Sequence, residues 1–458
     1  MRRGALHVGG RRDRAGVWAW VAVVLAVAGI VASVWRPLAP PVPATDGGLA
    51  RFSVEVLDAV REYRTPRYVV AGLATALGVL VPSVFVVTRW GRRHVDRWAR
   101  GAGNAPLRAA LIALRISVLT SLTLLPLAIF VGIVHDGRWG FRTRSVAGWF
   151  GDWLLRAGGR WLAVAVLAAL LLAAVRRWPT SWPYRVTVAG TFLAAGFVLL
   201  HPLVVQPLFL PTSPMPAGPA RAAVEDVLAR AGDPDVDLRV GAASLRTTRV
   251  NALVTGLGPT ERVVVYDNLL ELPPEQIASV VAHELAHQEH ADLLRGVALS
   301  AAALLAGGLT LRWVLARPGL RGAMNARGAG DPRMIAVVLA ATAVLELVGT
   351  PIGNAVSRRA EAAADARAVE LTRDPTTLLA TTRVFTVRDL SAPQPPAWTR
   401  VLYGTHPTVA ERIRYLDGWA RAAGVELPSL AELEALEADQ RHPAIAGPPP
   451  AEPGGARP

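Results

Sequence analysis

Apolar residues in this chain collect in long runs that are separated by shorter segments containing most of the arginines. A helix that crosses the hydrocarbon core of a bilayer needs about 17 to 25 residues of this kind. Seven runs meet or approach that length, at residues 16–35, 68–87, 109–134, 161–175, 186–205, 297–315 and 335–352. The pattern predicts a mainly α-helical membrane protein with about seven transmembrane helices.

Some of these runs carry features that a simple lipid-facing helix lacks. Arg115 and Pro126 fall in the third run, the fourth run is short, and Glu346 falls in the last run. We expect these helices to be tilted, broken or lining a cavity. The first run follows several arginines, as a signal peptide also does, but its length favours a retained membrane anchor.

Two stretches are soluble in character. Residues 210–292 predict a helix at 220–231, short strands at 236–240 and 262–266, and a helix from 273, whereas residues 354–440 predict helices with a break at 391–396. The chain therefore divides into a membrane region with five spans (1–209) and a second domain with a small β-sheet (210–440), which the last two spans interrupt. The tail, 441–458, is rich in Pro, Gly and Ala and is predicted to be disordered.

Composition narrows the possible partners and chemistry. Hydrophobic residues make up 52% of the chain and charged residues only 18%, whereas a soluble domain carries about a quarter charged residues. The net charge of +14 comes from arginine alone, and the arginines are spread between apolar segments rather than gathered in one stripe. We therefore expect the lipid bilayer as a partner and no nucleic acid. Because cysteine is absent, histidine and carboxylate remain as metal ligands.

The strongest chemical signal is an HExxH motif formed by His283, Glu284 and His287. Residues four apart lie on the same face of a helix, so both imidazoles can reach one zinc ion. Glu284 then lies beside a metal-bound water and can accept its proton as a general base. The motif predicts a zinc-dependent hydrolase.

A catalytic zinc site of this type needs a third protein ligand, which a second helix can supply. Glu361 and Asp365 are also four residues apart, in an alanine-rich segment. Glu361 is the candidate third ligand, and Asp365 is placed to hold the other ring nitrogen of a ligand histidine. We therefore expect one Zn²⁺ per chain.

Four motifs in this order resemble the integral-membrane zinc metallopeptidases of the type I CAAX prenyl protease family (Ste24-like, peptidase M48). They are HELAH at 283–287, NALVTGLGPTERVVVYDNLLE at 251–271, NAVSRRAEAAAD at 354–365 and THPTVAERI at 405–413. The resemblance implies a gluzincin-type metallopeptidase domain that hydrolyses peptide bonds in membrane-associated or lipidated proteins. It also implies the zinc ligands and base named above.

The same resemblance implies further site residues. His406 and Arg412 match a late His and Arg that hydrogen-bond the substrate carbonyl and the developing oxyanion, a role that a tetrahedral intermediate requires of some donor. Asn251 and Ala252 match the start of an edge strand that pairs with an extended substrate. For His406, a helix-capping role before Pro407 is the alternative.

The sequence does not determine the identity of the substrate or the orientation of the protein in the membrane. The chain departs from the family pattern at Leu210, Leu253 and Asn268, which affects the expected substrate pocket and not the metal ligands. An HtpX-like quality-control protease, with about four membrane segments, and a non-catalytic membrane protein with a vestigial zinc site are the alternatives. Arginine counts in the short loops place the catalytic segment outside, but by a small margin. The resemblance implies a cytoplasmic catalytic domain in a multi-pass protein of the cell membrane, and we follow it.

Overall fold

The computed structural model describes residues 48–233, 235–256 and 260–446, so the predicted span at 16–35 lies outside the described residues. Most of the described chain is helical. In chain order the labelled helices are α1 (Val54–Val87), α2 (Arg89–Ala99), α3 (Ala105–Ile129), α4 (Val146–Arg177), α5 (Trp182–Leu200), α6 (Pro219–Ala231), α7 (Pro274–Glu289), α8 (Asp292–Leu315), α9 (Pro318–Ala323), α10 (Met334–Thr372), α11 (Pro375–Val387), α12 (Ala397–Tyr403), α13 (Val409–Ala423) and α14 (Leu430–Leu436).

Within the described residues, six helical segments are long and apolar enough to cross a membrane. They contain the predicted spans from the second to the seventh. The short fourth run proves to be the C-terminal half of α4, which is 32 residues long. The third span continues into a π-helical segment at Phe130–His135, one turn after Pro126.

The helix α10 combines two elements that the sequence predicts as separate. The sequence predicts a span at 335–352 and a separate soluble helix from 354, but α10 runs unbroken for 39 residues, with Pro351 inside it. The helix that carries Glu361 is therefore a direct continuation of the last membrane span.

A four-stranded sheet lies beside the helices of the second domain. Its strands are β1 (Thr212–Pro214), β2 (Asp237–Gly241), β3 (Ala252–Thr255) and β4 (Arg262–Tyr266), in the order β1-β2-β4-β3. β2 and β4 are parallel, and the outer pairs are antiparallel. The residue pattern predicts β2 and β4, and the family resemblance implies β3 as an edge strand, whereas β1 is not predicted. β3 has one free edge.

Buried apolar residues form two clusters near the two ends of the membrane helices. The first joins the start of α1 to the sheet, α7, α11 and α13. The second joins the end of α1 to α2, the start of α3, the end of α4 and the start of α10. The second domain thus packs on one end of the bundle, and a separate core closes the other end.

The predicted disorder of the tail does not hold for its first residues. Pro443–Ala446 forms a short helix, and the Nε2 of His442 lies 2.7 Å from the carbonyl oxygen of Trp139. The His442 ring also packs on Phe141, with ring centroids 4.8 Å apart. An aromatic pocket therefore anchors this segment, and residues from 447 onward lie outside the described part of the chain.

Candidate metal centre and active site

The HExxH motif lies on a helix that is joined almost directly to a membrane span. α7 begins with Pro274 at its first position, where the missing N–H costs nothing. Only His290 and Ala291 separate α7 from α8, and Ala291 takes a left-handed conformation with φ of 51°. The tight turn holds the motif at the membrane end of the domain.

Glu361 projects from α10 between the two histidines of α7. Its Oε2 lies 3.2 Å from the Nε2 of His283, and its Oε1 lies 3.6 Å from the Nε2 of His287. One ligand atom from each of the three residues falls within 4.8 Å of the others. Two imidazole nitrogens and one carboxylate are a donor set that zinc binds in catalytic sites, so the residues present fit the ion.

A carboxylate holds the outer nitrogen of each histidine. The Nδ1 of His283 lies 2.9 Å from Asp365, and the Nδ1 of His287 lies 2.9 Å from Asp292. Partners of this kind fix the ring orientation and leave Nε2 free to bind a metal. Sequence reasoning missed Asp292, although an acidic residue five positions after His287 was a signal that could have identified it.

The cluster carries an excess of negative charge. Burial alone would lower the pKa of His287, but hydrogen bonds to Asp292 and Glu361 outweigh burial and raise this pKa to about 10. The pKa of His283 is also raised, because its carboxylate partners outweigh the effect of burial. Such a cluster attracts positive charge, either as protons on the imidazoles or as a divalent cation.

Glu284 directly follows the candidate ligand His283 on α7. Burial raises the pKa of its carboxyl group, and its Oε2 accepts a hydrogen bond of 3.4 Å from the backbone N–H of Val254. The residue therefore links α7 to the edge strand β3. A buried carboxylate with a raised pKa is a better proton acceptor than one in water.

His406 and Arg412 reach the same centre, but in different ways. The Nε2 of His406 lies 3.2 Å from Glu361, and 58% of the His406 side chain is exposed. Arg412 is largely buried and holds Asp365 through two hydrogen bonds, of which the one from Nε is 2.8 Å long. His406 therefore faces open space, whereas Arg412 is engaged with the carboxylate behind His283.

The cap of α13 does not use His406. Thr408 is the N-cap residue, and it forms a capping box with Glu411. The Nδ1 of His406 contacts the hydroxyl group of Thr405 at 2.8 Å instead. The capping explanation for His406 is therefore wrong.

A cavity of about 730 Å³ opens beside the metal cluster. Its lining includes Glu284 and His406 from the site and Tyr68, Ala71 and Val131 from the membrane helices. This volume is typical of a ligand-binding pocket. The cavity thus connects the reactive side chains with the membrane bundle.

The structure places Asn251 in the wall of this cavity and Ala252 at the start of β3. The backbone carbonyl group of Asn251 points toward β4 and accepts a 3.0 Å hydrogen bond from the backbone N–H of Tyr266. Because backbone groups alternate along a strand, those of Ala252 and Val254 point to the free edge. The free edge therefore runs past Glu284.

Comparison with known proteins identifies this arrangement. Residues 216–420 match the model of peptidase family M48, and residues 49–210 match a model described as CAAX prenyl protease N-terminal, five membrane helices. The chain belongs to peptidase family M48. It is a membrane-embedded metalloprotease, as its motifs predict.

Individual relatives agree with this assignment. The chain is 24% identical over 308 residues to the uncharacterized metalloprotease YhfN of Bacillus subtilis, covering 66% of this chain and 71% of that protein. It is 26% identical over 313 residues to a CAAX prenyl protease 1 homolog of Arabidopsis thaliana, covering 65% and 71%. The crystal structure of S. mikatae Ste24p matches with a TM-score of 0.71 at 19% identity, over 88% of this chain and 97% of that one. This last likeness confirms the predicted fold.

Proposed function

We propose that this M48 peptidase hydrolyses peptide bonds with one zinc ion per chain, held by His283, His287 and Glu361. The observation that carries the proposal is the convergence of their ligand atoms within 4.8 Å. When bound, zinc would polarise the scissile carbonyl group and make a water molecule more acidic. Asp365 and Asp292 would orient the two ligand rings through Nδ1.

Glu284 is the proposed general base. It accepts the proton of the attacking water and returns a proton to the leaving amine. Burial, which raises its pKa, and its place next to a ligand histidine support this role.

His406 is the proposed donor to the substrate carbonyl oxygen as negative charge develops on it. Its exposure to the cavity supports this contact. The family resemblance implies the same role for Arg412. The two bonds from Arg412 to Asp365 also support a positioning role, in which Arg412 fixes the carboxylate that holds His283.

The proposed substrates are membrane-associated proteins or peptides, lipidated ones included. Two features support this class: the cavity is lined partly by membrane helices, and the free edge of β3 offers backbone groups to an extended peptide. The match of residues 49–210 to the CAAX-type membrane region favours this architecture over an HtpX-like one. Glu284, which a vestigial site would not need, disfavours a non-catalytic protein.

Replacement of Glu284 by glutamine tests the proposed reaction. We expect Glu284→Gln to retain zinc and the fold and to lose peptide hydrolysis by several orders of magnitude, because an amide cannot accept the proton of water. The measurements are turnover of a fluorogenic peptide and zinc content on the same preparation. Glu275→Gln, an exposed change in the first turn of the same helix, is the matched control and should keep wild-type turnover. Comparable turnover by Glu284→Gln would place the base elsewhere.

A further inference from the structure

A second cavity, of about 600 Å³, lies at the end of the membrane bundle that is remote from the metal centre. The end of α2, the start of α3, the end of α4 and the segment before α10 form its walls. Arg333 of this cavity and Glu361 of the metal centre are separated by most of α10, which rises about 1.5 Å per residue, so that about 40 Å lies between them. This cavity is therefore independent of the catalytic site and of the proposed function.

Arginines dominate the walls of this cavity. They are Arg100, Arg108, Arg176, Arg327 and Arg333, and the only acidic residue in the described wall is Asp331.

Acidic neighbours neutralise only part of this positive charge. Asp331 pairs with Arg333, and Asp96 pairs with Arg333 and Arg100. Among the ion pairs formed by the described residues, none includes Arg108, Arg176 or Arg327. Three guanidinium groups thus share one cavity without a carboxylate partner in this part of the chain.

Backbone contacts hold two of these three side chains in place. Arg108 donates from Nη1 to the carbonyl oxygen of Ala99 at 3.0 Å, and Arg176 donates from Nη1 to that of Gly330 at 3.2 Å. The Nε of Arg108 is buried and has no hydrogen-bond partner in the described structure. The arginines are therefore tethered while further donors remain available for a ligand.

Two helix N-termini add to the positive potential. α3 begins at Ala105, and α10 begins at Met334, directly after Arg333. The N-terminus of a long helix carries partial positive charge that favours anions. Arginine forks and helix N-termini together suit the oxygens of a phosphate group.

The position of α2 identifies the source of that phosphate. α2 buries Gly91, Val95 and Ala99 on one side and exposes Arg89, Arg93 and Arg97 on the other. A short amphipathic helix with an arginine-rich face, at the ends of membrane spans, is typical of the headgroup layer. We propose that the cavity binds the phosphate of an anionic phospholipid headgroup.

Lipid retention by the purified full-length protein tests this proposal. Native mass spectrometry in detergent, with phosphatidylglycerol or phosphatidylcholine added at equal amounts, should show one phosphatidylglycerol retained per chain and no equivalent phosphatidylcholine. The triple variant Arg108→Gln, Arg176→Gln, Arg327→Gln should weaken this binding by on the order of 100-fold, since each arginine near a lipid surface contributes roughly a factor of five.

The matched control removes three arginines from the same membrane face but outside the cavity. Arg89→Gln, Arg93→Gln, Arg97→Gln should keep the bound phosphatidylglycerol. If both triple variants lose phosphatidylglycerol binding to the same extent, the binding reflects general surface charge. This result would overturn the proposal. If the protein retains both lipids equally and inorganic phosphate displaces them, the lipid headgroup is not the source of the bound phosphate.

Two further variants protect the test against misfolding. Arginine-to-lysine changes at positions 108, 176 and 327 keep the charge and should keep most of the binding. Arg327→Gln alone, at an exposed position, should weaken binding several-fold with an unchanged circular dichroism spectrum. The proposal would be contradicted if both this single variant and a folded triple variant bound phosphatidylglycerol as the wild type does.

Discussion

At the scale of single residues, the clustering of the candidate metal ligands could be predicted because it follows helix periodicity. His283 and His287 are one turn apart, as are Glu361 and Asp365, and the structure brings both pairs together. Asp292 escaped prediction because its contact with His287 crosses a turn between two helices. Whether Arg412 contacts substrate or Asp365 also depends on packing, which spacing alone does not reveal.

His406 and Arg412 give a prediction at this scale. If both stabilise charge in the transition state, alanine at either position should lower kcat far more than it raises KM, by about 2 to 4 kcal/mol of barrier. Zinc content should stay unchanged in His406→Ala. Steady-state kinetics and melting temperature are measured on the same preparations.

The two residues should also differ in how they respond to conservative change. Arg412→Lys keeps a positive charge but loses the two-point contact with Asp365, so we expect partial activity with weaker zinc retention. A normal kcat per folded molecule in both alanine variants, with a lower melting temperature, would remove both residues from the catalytic set.

At the scale of elements, apolar runs of sufficient length were a reliable guide to the membrane helices. Their ends were less predictable, because polar residues such as those of 354–372 continue α10 beyond the bilayer without a break signal. The strand β3 was recognised only through a motif, since four residues give too short an alternation for an assignment. Its position at the edge of the sheet depends on the order of the strands, and a local sequence pattern does not predict that order.

The free edge of β3 gives a prediction for substrate binding. An extended peptide that pairs with Ala252 should use its backbone N–H groups at every second position. Methylation of single backbone nitrogens in a peptide inhibitor should therefore weaken inhibition strongly at alternate positions and little at those between them. Inhibition constants for the complete set of methylated peptides provide the measurement. A uniform effect along the peptide would contradict pairing with the strand.

At the scale of the whole molecule, two of the connections between the membrane bundle and the peptidase domain carry residues of the candidate metal centre. The turn at His290 and Ala291 links the HExxH helix to α8, and α10 carries Glu361 out of the membrane. The metal centre is therefore assembled from extensions of two spans. Sequence predicts the parts, but their convergence requires the fold.

Orientation in the membrane is a property of this scale and is open to direct measurement. Because the chain lacks cysteine, single cysteines can be introduced at Ala422 in the peptidase domain and at Ala102 in the turn at the opposite end of the bundle. If the peptidase domain is cytoplasmic, a membrane-impermeant maleimide applied to intact cells should label Ala102→Cys and not Ala422→Cys. Both should react after the membrane is permeabilised. The reverse pattern would place the catalytic domain outside, as the arginine counts of the short loops indicate.

Zinc content of the purified protein tests the central claim most directly. Elemental analysis should find one zinc per chain in the wild type and none in the variant carrying both His283→Ala and His287→Ala. Removal of zinc from the wild type by a chelator should abolish peptide hydrolysis, and added zinc should restore it. Stoichiometric zinc in the double variant, or undiminished hydrolysis by the metal-free wild type, would contradict the account.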